Sequence, residues 1–257
     1  MENGAFKIGT LAALGYVGML MTGCGDRDTS QRPEEPIIKR VVQTPPDDKQ
    51  KMRDARSAYS AAVRENSYPA EDSDYGRLEA LALQWRNTAL EANDFGSALE
   101  ASKALGDSRY DKANGMKGTE RTRTYQTSIG AYTDSLNVID RTGLGKHLKN
   151  DILYKRAEAK VKVMRTDKLA TDLTSVMGDY LGALAHSIQA GSNNREAPID
   201  NLANIRMTQL LRRYGSRAEL ALAAAYHTFD ASEKQQIDSG LLKNGASSFP
   251  YRVLHTK

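Results

Sequence analysis

The sequence predicts an all-α protein whose antiparallel helical hairpins form either a bundle or a short α-solenoid. From residue 47 onward, apolar side chains recur at intervals of three and four residues, which is the period of one helix face. After Pro46 the chain has only three further prolines, and brief connections separate its helical stretches. Short connections place consecutive helices side by side in opposite directions, which favours hairpins.

Capping residues and apolar spacing define the first three predicted helices. The first begins at Pro46 and Asp47, and the second covers about 73–92. Asp94 is the predicted N-cap of the third helix. The inward face of this third helix is predicted to carry Phe95, Ala98, Leu99, Ser102 and Leu105.

A loop is predicted at residues 106–118, because this stretch has three glycines and no helical period. The fourth helix follows it and has the clearest pattern of the chain. From Tyr125 to Ile139, apolar residues recur at alternating intervals of four and three, and Gly143 is the predicted end of the helix.

Five more helices complete the predicted set of nine, at about 146–164, 167–190, 198–214, 217–229 and 233–244. Ser216 is the predicted N-cap of the eighth helix, and Ser232 with Gln235 forms a predicted capping box for the ninth. The tail, residues 246–257, is predicted to be a docked extended segment.

The N-terminal stretch has the features of a targeting signal. Residues 8–22 are uncharged and mostly apolar, and they are shorter than the roughly 20 residues that span a bilayer. The quartet Met21-Thr22-Gly23-Cys24 resembles the lipobox of prokaryotic lipoprotein signal peptides. That resemblance implies that the Cys24 thiol receives a diacylglyceryl group and that cleavage makes Cys24 the N-terminus. An uncleaved single-span anchor and a short buried helix are the alternatives.

The predicted organisation has three parts. Residues 1–23 form the lipoprotein signal peptide, and residues 24–46 form a lipid-anchored, disordered linker with four of the seven prolines. The all-helical domain covers 47–257 and is predicted to divide into two halves near 106–118. We therefore expect a membrane-anchored protein on the exported face of the cell membrane or on the outer membrane.

Charge is unevenly distributed although the net charge is only +4. Residues 65–107 have nine acidic against three basic side chains, whereas residues 108–168 have fourteen basic against seven acidic ones. This asymmetry predicts either two halves that face each other or a face turned to an anionic surface. The small net charge does not call for a nucleic-acid partner, and none is predicted.

The segment 146–168 is the strongest polar feature. Its basic side chains could contact anionic lipid headgroups or wall polymers, or they could meet the acidic segment 65–107 within the same fold. The residues singled out for the first of these contacts are Lys149, Lys155, Arg156, Lys160 and Lys162.

Several kinds of catalytic centre lack the residues that they need. The chain has one cysteine and four scattered histidines, without a His-Glu-x-x-His pair, so no metal site is predicted. It has no Gly-x-Ser-x-Gly elbow, Walker loop or Gly-x-Gly-x-x-Gly motif, and no cofactor is predicted. A cell-wall glycosidase would need two carboxylates. Glu79 and Glu158 are the acids to consider, but nothing in the sequence pairs either with a second carboxylate, and each is better interpreted as an exposed residue on a helix surface.

The sequence has two weak similarities to repeat patterns. Residues 130–136 and 178–184 share the pattern Gly-x-Tyr-x-x-x-Leu, and residues 93–107 faintly resemble the second helix of a tetratricopeptide repeat. An aromatic residue and a leucine one turn apart on any buried face explain the first match equally well. Helical hairpins without a named repeat family are therefore expected.

The predicted function is a lipid-anchored binding or scaffolding body in the cell envelope rather than an enzyme. Its partners would be the membrane, through the lipid, and an envelope protein or polymer. A smooth groove lined by Tyr125, Tyr132 and Tyr180 would favour binding. The alternative is a glycosidase-like envelope hydrolase, which a deep cleft with two facing carboxylates would favour. A purely structural spacer would show neither feature.

Overall fold

The computed structural model describes residues 46–65, 72–187, 199–243, 245 and 248–255. Within these ranges the chain is helical, without strands, which confirms the predicted all-α class. The helices are α1 (Pro46–Glu65), α2 (Asp72–Glu91), α3 (Phe95–Gly115), α4 (Gly118–Thr142), α5 (Lys149–Val163), α6 (Leu169–Ser187), α7 (Ile199–Tyr214), α8 (Ser216–His227), α9 (Ala231–Lys243) and α10 (Phe249–His255). Short 3₁₀ turns, Lys146–Leu148 and Thr166–Lys168, precede α5 and α6.

Consecutive helices pair as antiparallel hairpins, as predicted. In the α3–α4 pair, the Tyr125 hydroxyl donates to Asn114 Oδ1 at 2.7 Å, and the Tyr132 hydroxyl donates to Asp107 Oδ1 at 2.7 Å. A later residue of α4 thus meets an earlier residue of α3, which is the register of an antiparallel pair. The α5–α6 pair has the same register, with contacts from Arg156 to Asp179 and from Lys160 to Ser175.

The body combines a stack of helices with a bundle. From α1 to α5, each helix packs mainly on its neighbours in the sequence, as in a solenoid. In the C-terminal part, α5, α7, α8 and α9 all pack on α6, whose buried residues include Leu173, Met177, Tyr180 and Leu184. The most apolar helix is therefore central, and only its first two turns expose residues to water, among them Thr171 and Ser175.

The predicted loop at 106–118 is wrong. Helix α3 continues to Gly115, and only Met116 and Lys117 separate it from α4. Glycine usually signals a turn, but Gly106 is a helical residue against which the Tyr132 ring packs. A glycine inside a helix can serve such a close approach as well as a turn.

Helix ends agree with prediction at two sites and differ at two others. Ser97 N–H donates to the predicted cap Asp94 at 2.9 Å, and Gly143 ends α4 with a φ of 70°. Ser216 is not a cap, since it is the first residue of α8 and Gly215 precedes it with a φ of 54°.

The predicted capping box of the ninth helix, Ser232 with Gln235, is also wrong. The box that forms lies two residues earlier. Glu233 N–H donates to Asp230 Oδ1 at 2.8 Å, and Asp230 N–H donates to Glu233 Oε2 at 3.1 Å. A carboxylate caps a helix as well as a hydroxyl does, so Asp230 with Glu233 can form the box in place of Ser232 with Gln235.

Two further predictions fail at the surface and at the C-terminus. Phe95 is 45% exposed instead of facing inward, whereas Ala98 and Leu99, one turn later, are buried. The tail is not extended, since residues 249–255 form α10, which packs on α7, α8 and α9.

Several predictions concern residues outside the described ranges. These are the signal peptide 1–23 with the lipobox, the linker to residue 45, and the predicted end of the sixth helix at Ala190. Among the helices that the structure describes, none has the length and apolar character needed to cross a membrane.

Candidate functional site

A cleft of about 280 Å³ lies between three consecutive helices of the stack. On α3 and on α5 its lining side chains fall within one helical turn, three or four residues from first to last, which puts them on one face. Helix α3 contributes Asp107, Tyr110 and Asp111, α4 contributes Tyr132, and α5 contributes Tyr154, Lys155 and Glu158. The cleft thus combines carboxylates, phenol rings and one ammonium group.

Asp107 is held by three donors. Its Oδ1 accepts from the Tyr132 hydroxyl at 2.7 Å and from Lys155 Nζ at 3.0 Å, and its Oδ2 accepts from Lys103 Nζ at 3.0 Å. Burial by itself would raise the pKa of Asp107, but the two ammonium groups outweigh burial and keep that pKa below its usual value. Asp107 is therefore a fixed, ionised group.

Gly106 makes this arrangement sterically feasible. A Cβ at position 106 would lie 2.6 Å from Tyr132 Cε1, well inside van der Waals contact. The Ser128 hydroxyl donates to the Gly106 carbonyl at 2.8 Å and joins the same two helices. The absence of a side chain at Gly106 thus allows the Tyr132 ring to lie on α3 and its hydroxyl to reach Asp107.

Asp111 lies one turn beyond Asp107 and is exposed. Its carboxylate makes no hydrogen bond or ion pair with the part of the chain that the structure describes. Partial burial of the carboxyl group raises the pKa of Asp111, and the negative charge of Asp107 raises it further. The two acids of α3 therefore have pKa values shifted in opposite directions.

Glu158 faces the cleft from α5 and is not the exposed surface residue that the sequence suggested. Its side chain is only 13% exposed. It accepts a short hydrogen bond from the Tyr180 hydroxyl, and Arg206 Nε of α7 lies 3.1 Å from Glu158 Oε1. Sequence spacing gave no sign of these partners, because they come from two other helices.

Glu79, the other acid considered, lies outside the cleft. Arg109 Nε is 2.9 Å from its Oε1, and Lys112 Nζ is 3.2 Å from its Oε2. Burial acts to raise the pKa of Glu79, but the hydrogen bonds from Arg109 and Lys112 lower it overall. Glu79 therefore connects α2 to α3 through ion pairs, and the groups that it contacts there are cations, not a second carboxylate.

Tyrosines form the walls of the cleft. The ring of Tyr110 packs edge-on against Tyr125 with centroids 5.4 Å apart, and Tyr154 packs on Tyr180 at 5.9 Å. Burial, followed by the Glu158 charge, raises the pKa of Tyr110 to about 12, so this phenol is neutral at physiological pH. Of the tyrosines predicted to line a groove, Tyr132 lines the cleft, whereas Tyr125 and Tyr180 are buried behind its walls.

Four of the five basic residues predicted to contact an anionic surface pair with carboxylates of the same chain. The pairs are Lys149 with Asp140 at 2.9 Å, Lys155 with Asp107 at 3.0 Å, Arg156 with Asp179 at 2.6 Å and Lys160 with Asp179 at 2.7 Å; Lys162 is exposed. Only Lys155 meets the acidic segment 65–107. The predicted contact between the basic segment and the acidic segment 65–107 is thus made by one of these five residues.

Ion pairs also connect the two oppositely charged segments at other points. Arg109 and Lys112 bind Glu79, and Lys103 Nζ lies 2.9 Å from Asp151 Oδ2. Much of the charge asymmetry is therefore balanced inside the fold.

The described residues contain no group of three His, Cys, Asp or Glu side chains that could hold a metal ion.

Four of the seven lining residues were missed as site residues, namely Asp107, Tyr110, Asp111 and Tyr154. The first three lie in the segment interpreted as a loop or at its edge. Had that segment been treated as helical, the spacing of i, i+3 and i+4 would have placed them on one face. That spacing is the signal that could have found them.

Comparisons with protein-family models, curated proteins and solved structures found no match to this chain. The function proposed below therefore rests on the residues of the chain and on the geometry of the cleft.

Proposed function

We propose that this chain is a lipid-anchored protein of the prokaryotic cell envelope whose helical body is a binding module. In this proposal the cleft between α3, α4 and α5 is the binding site. The observation that carries the proposal is the cleft itself, which brings seven side chains from three helices around one opening. A concave site with aromatic walls and a few fixed polar groups is the usual form of a ligand site.

Two polar groups of the cleft, Asp107 and Glu158, are held in place before any ligand binds. Lys103 and Tyr132 fix Asp107, while Tyr180 and Arg206 fix Glu158 from behind the wall. Such preorganisation reduces the entropy cost of binding. A simple spacer would gain nothing from an open cleft of this kind, so binding is the better account of it.

The anchor is proposed from the resemblance of Met21-Thr22-Gly23-Cys24 to a lipobox. One acyl chain binds a membrane only marginally, whereas the two chains of a diacylglyceryl group bind stably. A linker of about 22 residues from Cys24 would hold the body roughly 25 Å from the bilayer on average. We therefore place the body on the exported face of the membrane, with an envelope protein or polymer as partner.

Site-specific photocrosslinking in the host organism tests this proposal. A benzophenone amino acid replaces Tyr110 in the cleft of the full-length chain, and a matched variant carries it at Leu220, which is 72% exposed on α8. The proposal predicts an adduct of defined mass at position 110 and none at 220. Equal adducts at both positions, or none at either, would count against a binding cleft.

The anchor is tested in the same strains with a Cys24→Ser variant. We expect this variant to leave the membrane fraction, because the serine hydroxyl does not replace the thiol in lipid attachment. A variant that stays in the membrane fraction to the same extent as the wild-type chain would contradict the lipid anchor.

One observation favours a second candidate, an envelope glycosidase. Two carboxyl groups one helical turn apart in the same cleft, Asp107 and Asp111, have pKa values shifted in opposite directions, as an acid and its ionised partner require. Purified protein with isolated cell-wall polymer would then release reducing ends, and Asp111→Asn would abolish the release. No release by the wild-type protein would exclude this candidate.

A further inference from the structure

One carboxylate of the cleft has no cation partner among the described residues. Lys103 and Lys155 pair with Asp107, and Arg206 pairs with Glu158. Asp111, the third acid that lines the cleft, is exposed and makes no ion pair with the residues that the structure describes. A ligand that brings one positive charge would pair with it.

The walls supply the second feature that a cation requires. The rings of Tyr110 and Tyr154 line the cleft and are partly exposed, whereas Tyr132, which also lines it, is 1% exposed. Aromatic faces attract ammonium groups through the ring quadrupole, and several rings around one site bind alkylated ammonium groups best. Inorganic cations such as Ca²⁺ prefer several oxygen ligands. The rings therefore favour an organic cation over a metal ion.

The volume of about 280 Å³ limits the size of the occupant. Pockets for drug-sized ligands begin at about 300 Å³, so the cleft suits a small molecule or the end of a longer one. We infer that the cleft binds an alkylammonium group, with Asp111 as its counter-ion and with Tyr110 and Tyr154 as its aromatic walls. This inference rests on the proposed function and specifies its ligand class. The amine could be a free molecule, a lipid headgroup or a partner's side chain.

Titration calorimetry on the full-length protein in non-ionic detergent tests the inference. The probes are choline, n-butylammonium and 3,3-dimethylbutan-1-ol, which is the uncharged isostere of choline. We expect at least one ammonium probe to bind with 1:1 stoichiometry and the alcohol to bind about tenfold more weakly, since the cation–π attraction is lost. Equal affinity for choline and the alcohol would overturn the inference.

Two pairs of variants separate charge from aromaticity. Asp111→Asn should weaken ammonium binding about fivefold, the size expected for an exposed ion pair, while Asp167→Asn, an exposed control outside the cleft, should have no effect. Tyr110→Phe retains an aromatic face and should bind like the wild type, whereas Tyr110→Leu should bind more weakly. Unchanged affinity in both Asp111→Asn and Tyr110→Leu would overturn the inference.

The outcome for this inference can be distinguished from that for the proposed function. A photocrosslink specific to position 110 without binding of either ammonium probe would overturn the inference and leave the binding module standing. If n-butylammonium binds, competition by phosphatidylethanolamine vesicles identifies the source of the amine. Displacement indicates a lipid headgroup and no displacement indicates a free amine or a partner's side chain, and either result supports the inference.

Discussion

The ring of Tyr132 lies directly against the backbone of Gly106, and its hydroxyl donates to the neighbouring Asp107 at 2.7 Å. Tyr132 thus contributes both to the packing of α4 on α3 and to the structure of the cleft. It brings α4 close to α3, and it fixes the carboxylate at the base of the cleft. A change at Gly106 should therefore affect stability and ligand binding together.

Gly106→Ala should destabilise the protein by about 1–3 kcal/mol, the usual cost of overpacking a core. The added methyl would overlap the Tyr132 ring, which has little room to move because it is 1% exposed. Urea denaturation, followed by circular dichroism, measures this change.

The matched control for Gly106→Ala is Gly130→Ala on α4, where an added Cβ would meet nothing within 4 Å. This control should gain roughly 0.5–1 kcal/mol from helix propensity. If the two variants had the same stability, the close approach of Tyr132 to Gly106 would be wrong.

Asp179 is predicted to be the most costly acid to remove. Its side chain is 6% exposed and binds Arg156 at 2.6 Å and Lys160 at 2.7 Å. Asp179→Ala leaves both cations without their partner in a buried site, which should cost about 3–5 kcal/mol.

Asp134→Ala is the control for Asp179→Ala, because it also removes an ion pair, the one with Arg86. The Asp134 side chain is 48% exposed, so its loss should cost no more than about 1 kcal/mol. Both values come from chemical denaturation at pH 7. A cost below 1 kcal/mol for Asp179→Ala would show that its ion pairs are not desolvated.

Acid should remove the stabilisation that Asp107 supplies. Because the folded-state pKa of Asp107 is lowered, its contribution is present above the unfolded pKa of about 3.9 and is lost as pH falls through the folded value. The difference in unfolding free energy between the wild type and Asp107→Asn should thus be largest near pH 7. It should shrink between about pH 4 and pH 2, and a difference independent of pH would contradict this assignment.

Asp111 should behave in the opposite way. Its folded-state pKa is raised, so its contribution is present below the unfolded pKa and is lost as pH rises through the folded value. Asp111→Asn should therefore gain stability relative to the wild type as pH rises from about 3 to 7. Thermal unfolding across this range measures the trend, and a relative loss of stability would contradict it.

The sequence predicts the helices better than it predicts the cleft, and Gly106 explains why. Apolar period and caps such as Asp94 and Gly143 act locally, so they can be recognised without the tertiary structure. A glycine has no period of its own, and whether it marks a turn or a close contact depends on the facing helix. Because residues 106–118 were interpreted as a loop, Asp107 and Asp111 were not recognised as neighbours on one face.

The tyrosines of the two Gly-x-Tyr-x-x-x-Leu segments have a shared role that the sequence pattern does not indicate. Tyr132 and Tyr180 are both buried, as an inward helix face requires, and each donates its hydroxyl to a carboxylate of the preceding helix. Those carboxylates, Asp107 and Glu158, border the same cleft. Their positions, 25 and 22 residues before the tyrosines, follow from hairpin register, which the sequence pattern alone does not specify.

The intact mass of the protein purified from the membranes of its own host tests the account most directly, because a body held at the envelope depends on the anchor. Sequencing of the N-terminal peptide accompanies the mass. A lipid-anchored protein would begin at Cys24 and carry a diacylglyceryl group on the thiol of that residue. An unmodified chain that still begins at Met1 would contradict the lipid anchor.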